Sequence, residues 1–521
     1  MVATAGISRN RLWKRLLAIS FFTGLFILGL WIIYDATPWG IGIRHDSIMY
    51  LSAARNLASE GCLCWSGSGN ELKPLIHFGP LYPTLIYFME LFVGNVEDSA
   101  RFLAATFYSL NVIFFVLIVF MITRRLWAAA LSSPLFLSSP ILLEVHDGAM
   151  SEPIFLFFIL ADFLSLSFYL KGKRTSLLYL SGSIASLAML SRYAGASVLV
   201  AGTLSIFFYK VGDRRRKFRD IYIFNSIGFL PSFLWALRNY FLTGSMTNRT
   251  FSVHPIGIDE LRKMLDVMTA WFTPIKTSHW IEGGALILFL SIATLTFWML
   301  SRAPELEREV AGTLGLNLTI FIAVYLAFLL ISRSFFDATI PFDDRLLSPM
   351  YVSVLAVIGL VLSILLSLRN IRWMTVPAIL AIAFWATSYA WIERQDTVRK
   401  MKTEGIGFSS KEWQESSLMT WIDNLPAGTT IYSNEALAIQ LLIDRPAYQT
   451  PMKYDGVIER IRRDYPEQLE KMQTDLRKPD SYLIFIDPLK GIDPSYINPS
   501  YIEGLQEAFA TDDGIVFESV E

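Results

Sequence analysis

Two short segments of the chain each combine carboxylates with a histidine, and such side chains can accept and donate protons. His45 and Asp46 lie in the first segment, shortly after a long apolar run. The second segment contains four such residues within a short stretch: Glu144, His146, Asp147 and Glu152. An acid in either segment could act as a general base or bind a cation. Asp46 and Glu152 could equally be capping residues of the helices that follow them, so residue types alone leave both interpretations open.

Three arginines could supply positive charge to an anionic ligand. Arg192, Arg238 and Arg345 each stand near the end of an apolar segment. The planar guanidinium group can bind a phosphate through two parallel hydrogen bonds. The alternative is pairing with nearby acids, since Asp343 and Asp344 immediately precede Arg345. Either interpretation requires an anion close to each of these arginines.

The elements that must position these side chains are membrane helices. Of the 521 residues, 53% are hydrophobic and only 17% are charged, and the mean hydropathy is +0.43. Many apolar runs reach the roughly 17–25 residues that cross a bilayer as a helix. The net charge of −1 supplies no basic surface for nucleic acid, so no nucleic-acid partner is expected. The composition therefore predicts an α-helical polytopic membrane protein.

The apolar runs predict about eleven membrane spans. The predicted spans are 16–34, 101–123, 126–143, 152–170, 176–191, 194–210, 220–240, 283–301, 310–332, 346–368 and 373–392. Every second connection is rich in Lys and Arg, namely those near 9–15, 124–125, 171–174, 213–217, 302–309 and 369–372. Short basic loops stay in the cytoplasm. The N-terminus is therefore predicted to be cytoplasmic and the C-terminus to lie outside a cell inner or plasma membrane.

The first outer loop, residues 35–100, is expected to contain interfacial helices. Residues 46–60 have the apolar spacing of an amphipathic helix, and Asp46 lies near its positive N-terminal end. Residues 77–93 are also apolar, but a span there would place the later basic loops outside. An interfacial or re-entrant helix is therefore predicted, with twelve spans as the alternative. Cys62 and Cys64 are too close in sequence for a relaxed disulfide, so two free loop thiols are expected.

The chain changes character after residue 392. Residues 393–521 carry charged side chains throughout, punctuated by Pro and Gly. Short β-like runs at 430–432 and 482–486 have helical stretches between them. This composition predicts a membrane domain over 1–392 and a small soluble extracytoplasmic α/β domain over 393–521.

The order of several motifs resembles that of the GT-C class of membrane glycosyltransferases. This class includes the protein O-mannosyltransferases and the aminoarabinose transferase of lipid A. The matching segments are Asp46–Tyr50, His77–Pro83, Arg101–Phe102, Ser151–Phe155, Ser191–Gly195 and Arg345–Pro349. They fall within residues 12–370, and their order along the chain carries the resemblance more than any single motif does.

The resemblance implies transfer of a hexosyl or pentosyl group from a polyprenyl-phosphate donor. The acceptor would be a protein, lipid or glycan at the outer face of the membrane. Asp46 matches the first-loop acid that acts as base, and Glu152 matches the second-loop acid. Single displacement implies inversion at the anomeric carbon. The resemblance leaves open whether a divalent metal binds at these acids, and no metal ligand or other cofactor is assigned.

The resemblance also implies a set of substrate- and phosphate-binding residues. Some relatives carry a lysine near the Gly-Pro motif that meets phosphate, whereas His77 stands near that position here. Arg192, Arg238 and Arg345 are the candidate substitutes. The remaining residues expected to contact substrate are His45, Tyr50, Tyr82, His146, Asp147 and Tyr193.

Two other functions compete with sugar transfer. A transporter or lipid flippase would have repeats and paired charges near the bilayer midplane, and Asp162 in the middle of a predicted span favours it. A non-catalytic scaffold or sensor would use the outer domain to bind a partner. The large outer loops favour an enzyme, because membrane enzymes build sites on such loops.

Overall fold

A computed structural model describes residues 2–209, 213–271, 310–367, 372–492 and 497–520. The predicted span at 283–301 lies outside these residues. A bundle of helices occupies the first three quarters of the described chain. Its helices are α1 Val2–Ala36, α2 His45–Ser59, α3 Leu81–Val93, α4 Val96–Thr123, α5 Leu126–Leu137, α6 Pro140–His146, α7 Glu152–Gly172, α8 Thr175–Ser191, α9 Ala196–Phe208, α10 Arg214–Thr243, α11 Ile258–Ala270, α12 Val310–Phe335, α13 Asp344–Ser367 and α14 Arg372–Glu404.

The predicted helical membrane class is confirmed. Within the described ranges, five helical segments are long and apolar enough to cross a bilayer: Leu12–Ala36, Val96–Thr123, Glu152–Gly172, Arg214–Thr243 and Ala311–Phe335. The pair α5 and α6 would add a sixth if it forms one bent span. The total of about eleven spans remains a prediction.

The segment predicted as a single span at 126–143 is broken. Helices α5 and α6 meet at an angle of 65°. Ser139 caps α6, because its hydroxyl accepts a hydrogen bond from the Leu142 amide at 3.3 Å. Pro140 occupies the first turn, where its missing N–H costs nothing. A cap and a proline side by side start a new helix in place of continuing the old one.

Helix α3 accounts for the ambiguous segment 77–93. It has 13 residues, which corresponds to roughly 20 Å and is shorter than the hydrocarbon core of about 30 Å. Gly94 ends it in the left-handed conformation, with φ of 99°. Phe88, Leu91 and Phe92 are exposed along it. A short helix with an exposed apolar face agrees with the predicted interfacial position.

The basic loops meet at one end of the bundle. Arg216 donates a hydrogen bond to the carbonyl of Lys173 at 2.9 Å. The ammonium of Lys173 lies 4.3 Å from the centre of the Tyr209 ring. Glu152 is at the opposite end of α7, which has 21 residues and so extends about 30 Å. The basic connections and the predicted acidic site therefore lie at opposite ends of the same helix.

The first outer loop contains α2 and a small antiparallel hairpin of β1 Cys64–Ser66 and β2 Leu72–Pro74. Cys62 and Cys64 form a disulfide, so the expectation of two free thiols is wrong. The turn before β1 brings their Cα atoms to 5.3 Å, inside the usual range for a disulfide.

The C-terminal part forms a mixed sheet with helices. Its helices are α15 Lys411–Gln414, α16 Ser417–Asp423, α17 Ala436–Ile443 and α18 Tyr465–Leu476. Its strands are β3 Thr430–Ser433, β4 Tyr448–Gln449, β5 Tyr454–Asp455, β6 Arg460–Ile461, β7 Ser481–Ile486, β8 Leu505–Thr511 and β9 Gly514–Ser519. The main sheet has the order β4-β3-β7-β9-β8. Strand β3 runs parallel to β4 and β7, and the other pairs in this sheet are antiparallel.

The boundary predicted at residue 392 falls inside a helix. Helix α14 continues to Glu404, and the chain then turns back onto the first outer loop. The Phe408 amide donates to the carbonyl of Ile43 at 2.9 Å, and Gly407 forms a parallel bridge with Ile43. The C-terminal part is thus attached directly beside the segment that carries Asp46.

Candidate active site

Asp46 lies in the first turn of α2 and is not its capping residue. Arg44 occupies the cap position in an extended conformation, and its amide donates to the Ser47 hydroxyl at 3.0 Å. The carboxylate of Asp46 therefore lies at the positive end of the helix dipole and does not cap the helix. The simple capping interpretation of Asp46 does not hold.

Glu152 lies in the first turn of α7 and is buried, with 4% of its side chain exposed. Arg192 follows α8 in an extended conformation, and its Nη1 lies 2.6 Å from Glu152 Oε1. The same nitrogen donates to the Ser151 hydroxyl at 3.1 Å. An ion pair at this depth is weakly screened by water and is strong while both partners remain.

Arg345 joins the two predicted acids. It lies in the first turn of α13, and its Nη1 is 3.3 Å from Asp46 Oδ2 and 3.4 Å from Glu152 Oε1. Its side chain is 27% exposed, whereas that of Asp46 is 42% exposed. Asp46 is consequently the acid that a ligand can reach. Glu152 is the buried counter-ion of two guanidinium groups.

The second outer loop is held against the first by backbone and side-chain bonds. The Gly42 amide donates to the carbonyl of Asp147 at 2.8 Å, and the Ala149 amide donates back to Gly42 at 2.8 Å. Arg44 Nη2 lies 2.8 Å from Asp147 Oδ1. Burial raises the pKa of Asp147 to about 6, and the neighbouring Arg44 opposes this rise. Asp147 therefore fixes the loops together and does not face the ligand space.

A cavity of about 470 Å³ lies at this junction. Its size is typical of small-molecule sites, which span about 300–1,000 Å³. The residues that line it are Arg44, His45, Asp46, Ile141, Glu144, Val145, Asp343, Asp344 and Arg345. Four acids and two arginines share one wall, so the cavity suits a ligand with hydroxyl groups and one anionic group.

His45 links the cavity to the C-terminal part. Its Nε2 lies 3.3 Å from Glu435 Oε2, and its ring packs against Phe408 with centroids 5.1 Å apart. The hydrogen bond with Glu435 raises the pKa of His45. The mouth of the cavity is therefore bordered by residues from both ends of the chain.

Three other predicted residues lie inside the bundle and do not line the cavity. His146 is fully buried, 2.9 Å from the Asn111 amide and 2.6 Å from the carbonyl of Leu142. The hydroxyl of Tyr50 is 3.0 Å from that of Ser151. Tyr82 packs edge-on against Tyr50, with ring centroids 5.1 Å apart. Tyr50 and Tyr82 support the turn that carries Glu152, and the expected direct role of His146 in substrate binding is not met, because its ring points into the core.

His77 is part of a separate polar cluster. Its Nε2 is 3.1 Å from Arg249 Nη2, and Arg249 also pairs with Asp337. Burial, together with the positive charge of Arg249, lowers the pKa of His77 to about 4. His77 is thus neutral at pH 7 and does not supply the positive charge expected for phosphate. The positive charge in this cluster is that of Arg249, which is paired with Asp337.

Tyr193 and Arg238 also lie away from the two acids. The Tyr193 hydroxyl donates to the carbonyl of Ile76 at 2.8 Å. Arg238 donates to the carbonyl of Leu75 at 3.3 Å and stacks over the Trp235 ring at 4.6 Å. Both residues tie the segment before α3 to the bundle.

Arg44 and Arg249 were not selected from the sequence. Arg44 stands two residues before Asp46, and a basic residue on the predicted outer side could have signalled a buried anion. Arg249 also lies on the predicted outer side, in the connection after the span 220–240, so the same signal applies to it.

The acids do not form a metal site within the part of the chain that the structure describes. No group of three or more His, Cys, Asp or Glu side chains is arranged there to hold a metal ion. Arg345 pairs with Asp46 and Glu152, and Arg44 pairs with Asp147. The residues present fit an ion-pair network better than a divalent cation.

Comparisons with known proteins identify the fold of the chain. A family model described as dolichyl-phosphate-mannose-protein mannosyltransferase matches residues 77–236, about a third of the chain. The structure of ArnT from Cupriavidus metallidurans bound to undecaprenyl phosphate superimposes with a TM-score of 0.51. The match covers 96% of this chain and 98% of ArnT at 13% identity. The chain has the GT-C fold.

Two other GT-C structures support the same conclusion. The archaeal oligosaccharyltransferase AglB from Archaeoglobus fulgidus matches with a TM-score of 0.58 at 13% identity, over 89% of this chain and 69% of AglB. Arabinofuranosyltransferase AftD from Mycobacteria matches with a TM-score of 0.56 at 14% identity, over 96% of this chain and 40% of AftD. Comparison with curated protein sequences finds no significant match. The predicted resemblance to GT-C glycosyltransferases is confirmed, and these low identities establish the fold alone.

Proposed function

We propose that this GT-C protein transfers a sugar from a polyprenyl-phosphate donor to an acceptor hydroxyl at the outer face of a cell inner or plasma membrane. One observation carries the proposal: the carboxylates of Asp46 and Glu152 meet the same guanidinium nitrogen of Arg345. Asp46 and Arg345 line the 470 Å³ cavity, and Glu152 lies buried behind Arg345. The bound undecaprenyl phosphate named for ArnT, and the dolichol-phosphate named for AglB, support a lipid-phosphate donor.

Asp46 is the proposed general base. Its carboxylate takes the proton of the acceptor hydroxyl, while the acceptor oxygen forms a bond to the anomeric carbon of the sugar. The bond between that carbon and the phosphate oxygen breaks, and the lipid phosphate leaves with the electron pair. A single displacement of this kind inverts the anomeric carbon. Asp46 fits this role because it is the exposed member of the acid pair.

Arg345 is the proposed cation for the departing phosphate. It lines the cavity, and charge on the leaving oxygen is best stabilised by a fixed positive group. Glu152 acts through Arg345 and Arg192, which it holds in place by short ion pairs. Glu152 is therefore a positioning residue in this proposal. The proposed step uses Asp46 and Arg345, which are paired with each other, and assigns no role to a metal ion.

The acceptor is proposed to enter near His45 and Glu435, where the C-terminal part borders the cavity. A soluble outer domain at this place suits an acceptor that arrives from the aqueous side. Protein, lipid and glycan acceptors, and hexosyl and pentosyl donors, all remain within the proposal.

The transporter alternative loses its main support. The buried Asp162 accepts a hydrogen bond from the Ser181 hydroxyl on the neighbouring helix. An intramembrane acid satisfied in this way is explained by packing between α7 and α8, and no specific feature of the described residues favours transport.

The decisive experiment measures transfer by purified protein offered a panel of radiolabelled polyprenyl-phosphate sugars. Asp46→Asn should lower the rate by about 10²–10⁴, the usual contribution of a general base. Asp423→Asn, at an exposed acid at the end of α16, should transfer at the wild-type rate. If Asp46→Asn retains full activity, Asp46 is not the base. Addition of a chelator to the same assay tests metal dependence.

A further inference from the structure

A second cavity, of about 550 Å³, lies on the side of the bundle between α1, α5 and α14. Its walls are mostly apolar and include Leu28 and Trp31 of α1 and Phe384 and Trp391 of α14. The three aromatic side chains are more than half exposed. We call this cavity the lateral groove. Apolar walls alone describe any lipid-facing surface and would carry no inference.

The lateral groove also contains an arginine that lacks a counter-ion among the described residues. Arg394 lines the groove and is only 7% exposed. Its Nε has no hydrogen-bond partner in the described part of the chain, and its guanidinium lies 5.3 Å from the centre of the Trp391 ring. Burial of an unpaired guanidinium costs several kcal/mol. An anion in the groove would remove this cost.

Arg394 lies toward the outer end of α14. It lies one helical turn before Thr397, whose hydroxyl is 3.4 Å from Glu144 at the wall of the acidic cavity. It also lies eight residues, or about 12 Å along the helix, before Lys402. Lys402 pairs with Asp35 at the outer end of α1 at 2.8 Å. Trp31 and Trp391 line the same groove, and tryptophan favours the membrane–water boundary, where lipid headgroups lie.

We propose that the lateral groove binds one anionic phospholipid of the outer leaflet. Its phosphodiester pairs with Arg394, and its hydrocarbon chains lie along Leu28, Trp31 and Phe384. A phosphodiester carries one negative charge, which one guanidinium neutralises, whereas a phosphomonoester carries nearly two at pH 7. The hydroxyls of Ser388 and Thr387 line the same groove and suit the glycerol and ester oxygens.

The lipid would hold three helices together. Helices α1, α5 and α14 each contribute walls to the lateral groove, whereas the acidic cavity uses the next helix, α6, through Ile141, Glu144 and Val145. The two cavities therefore have different walls. The phospholipid site stands whether or not the protein transfers sugar.

The test compares the full-length protein in vesicles of phosphatidylcholine alone with the protein in vesicles that also contain phosphatidylglycerol. Wild type should unfold at a higher temperature with phosphatidylglycerol and should retain it over phosphatidylcholine in native mass spectrometry. Arg394→Gln should abolish both differences. In phosphatidylcholine alone it should be as stable as wild type or more so, because it removes an unpaired charge. If Arg394 had only a structural role, Arg394→Gln would be less stable than wild type in phosphatidylcholine alone.

The matched control is Arg399→Gln on the same helix, whose side chain is 75% exposed and pairs with Asp396. It should keep the preference for phosphatidylglycerol. Trp391→Ala removes part of the groove wall and keeps the charge of Arg394. It should weaken the retention of phosphatidylglycerol, and it replaces Arg394→Gln as the test if that variant does not fold. The proposal is overturned if wild type shows no preference, if Arg394→Gln keeps it, or if undecaprenyl phosphate displaces phosphatidylglycerol from the groove.

Discussion

Glu152 and Asp46 share one arginine but should differ in what they contribute. Glu152 is buried and compensates Arg192 and Arg345, so its loss leaves two positive charges without their common partner. We expect Glu152→Gln to lower the free energy of unfolding by about 3–5 kcal/mol. Denaturant unfolding in detergent measures this change. The matched control is Glu97→Gln, whose pair with Arg55 is more than one-third exposed; it should cost no more than about 1 kcal/mol. Equal losses would contradict the assigned role of Glu152.

Asp147 should give the stability of the protein a measurable pH dependence. Its carboxyl binds a proton more tightly in the folded protein, because burial raises its pKa to about 6. The stability it contributes is fully present below about pH 4 and is lost as pH rises through about 6. As pH rises from about 4 to above 6, the free energy of unfolding of wild type should fall by up to about 3 kcal/mol relative to that of Asp147→Asn. Unfolding curves for both proteins at a series of pH values provide the comparison, and a constant difference between them would refute the assignment.

The sequence predicted some residues of the site better than others, for a physical reason. Asp46, Glu152, Arg192 and Arg345 all lie at helix ends on one side of the predicted membrane, so topology alone brings them together. Arg44 and Arg249 stand outside the segments that carry the resemblance, and only the tertiary structure brings them to their partners Asp147 and Asp337. The direction of His146 depends on the rotation of α6, which follows from packing.

At the scale of elements, the position of Asp46 depends on one glycine. Gly407 has a φ of +60°, and an added Cβ would lie 2.1 Å from the carbonyl oxygen of Ile43. Gly407→Ala must therefore displace the strand-like segment that leads into α2. We expect at least a tenfold loss of sugar transfer, because misplacement by about 1 Å can cost 10² in rate. Steady-state rates and thermal unfolding of the same preparation measure the two effects.

Gly428→Ala is the control for this substitution. Gly428 also has a positive φ, of +93°, but an added Cβ would meet nothing within 4 Å. The two variants share a backbone cost of roughly 1–2 kcal/mol. Only Gly407→Ala should lose activity beyond what its stability explains. Similar activity in both would mean that the contact between Gly407 and Ile43 does not position Asp46.

Element boundaries were predictable where a local signal exists. The apolar runs predicted α4, α7, α10 and α12 because each is long and continuous. The break between α5 and α6 has a local signal, Ser139 followed by Pro140, yet the apolar composition on both sides concealed it. Helix α14 continues past the predicted span 373–392 to Glu404; its last turns are charged, so hydropathy predicts the span and not the end of the helix.

At the scale of the whole molecule, the separation of basic loops from acidic cavity predicts which surfaces face the cytoplasm. Ser176, near the start of α8, belongs to the basic end, and Ser59, at the end of α2, belongs to the other; both are exposed. In intact cells, a membrane-impermeant maleimide should label Ser59→Cys and spare Ser176→Cys. After the membrane is permeabilised, both should react. The reverse pattern in intact cells would invert the proposed topology.

The architecture of the C-terminal part was predicted more securely than its attachment. The alternating β-like runs and helices predict an α/β domain over 393–521, which stays a prediction; the structure has a mixed sheet through β3 and β7 in this part. The contacts of Gly407 with Ile43 and of Glu435 with His45 join residues hundreds of positions apart, so no local sequence pattern predicts them.

Helix α14 has 33 residues and so extends about 50 Å. It continues beyond the predicted span, pairs with α1 through Lys402 and Asp35, and ends three residues before Gly407, which forms the bridge to Ile43. A change in the tilt of α14 within the bilayer therefore displaces its outer end, which lies beside the segment that carries Asp46. Bilayer thickness, which sets helix tilt, is thereby mechanically coupled to the placement of the proposed base.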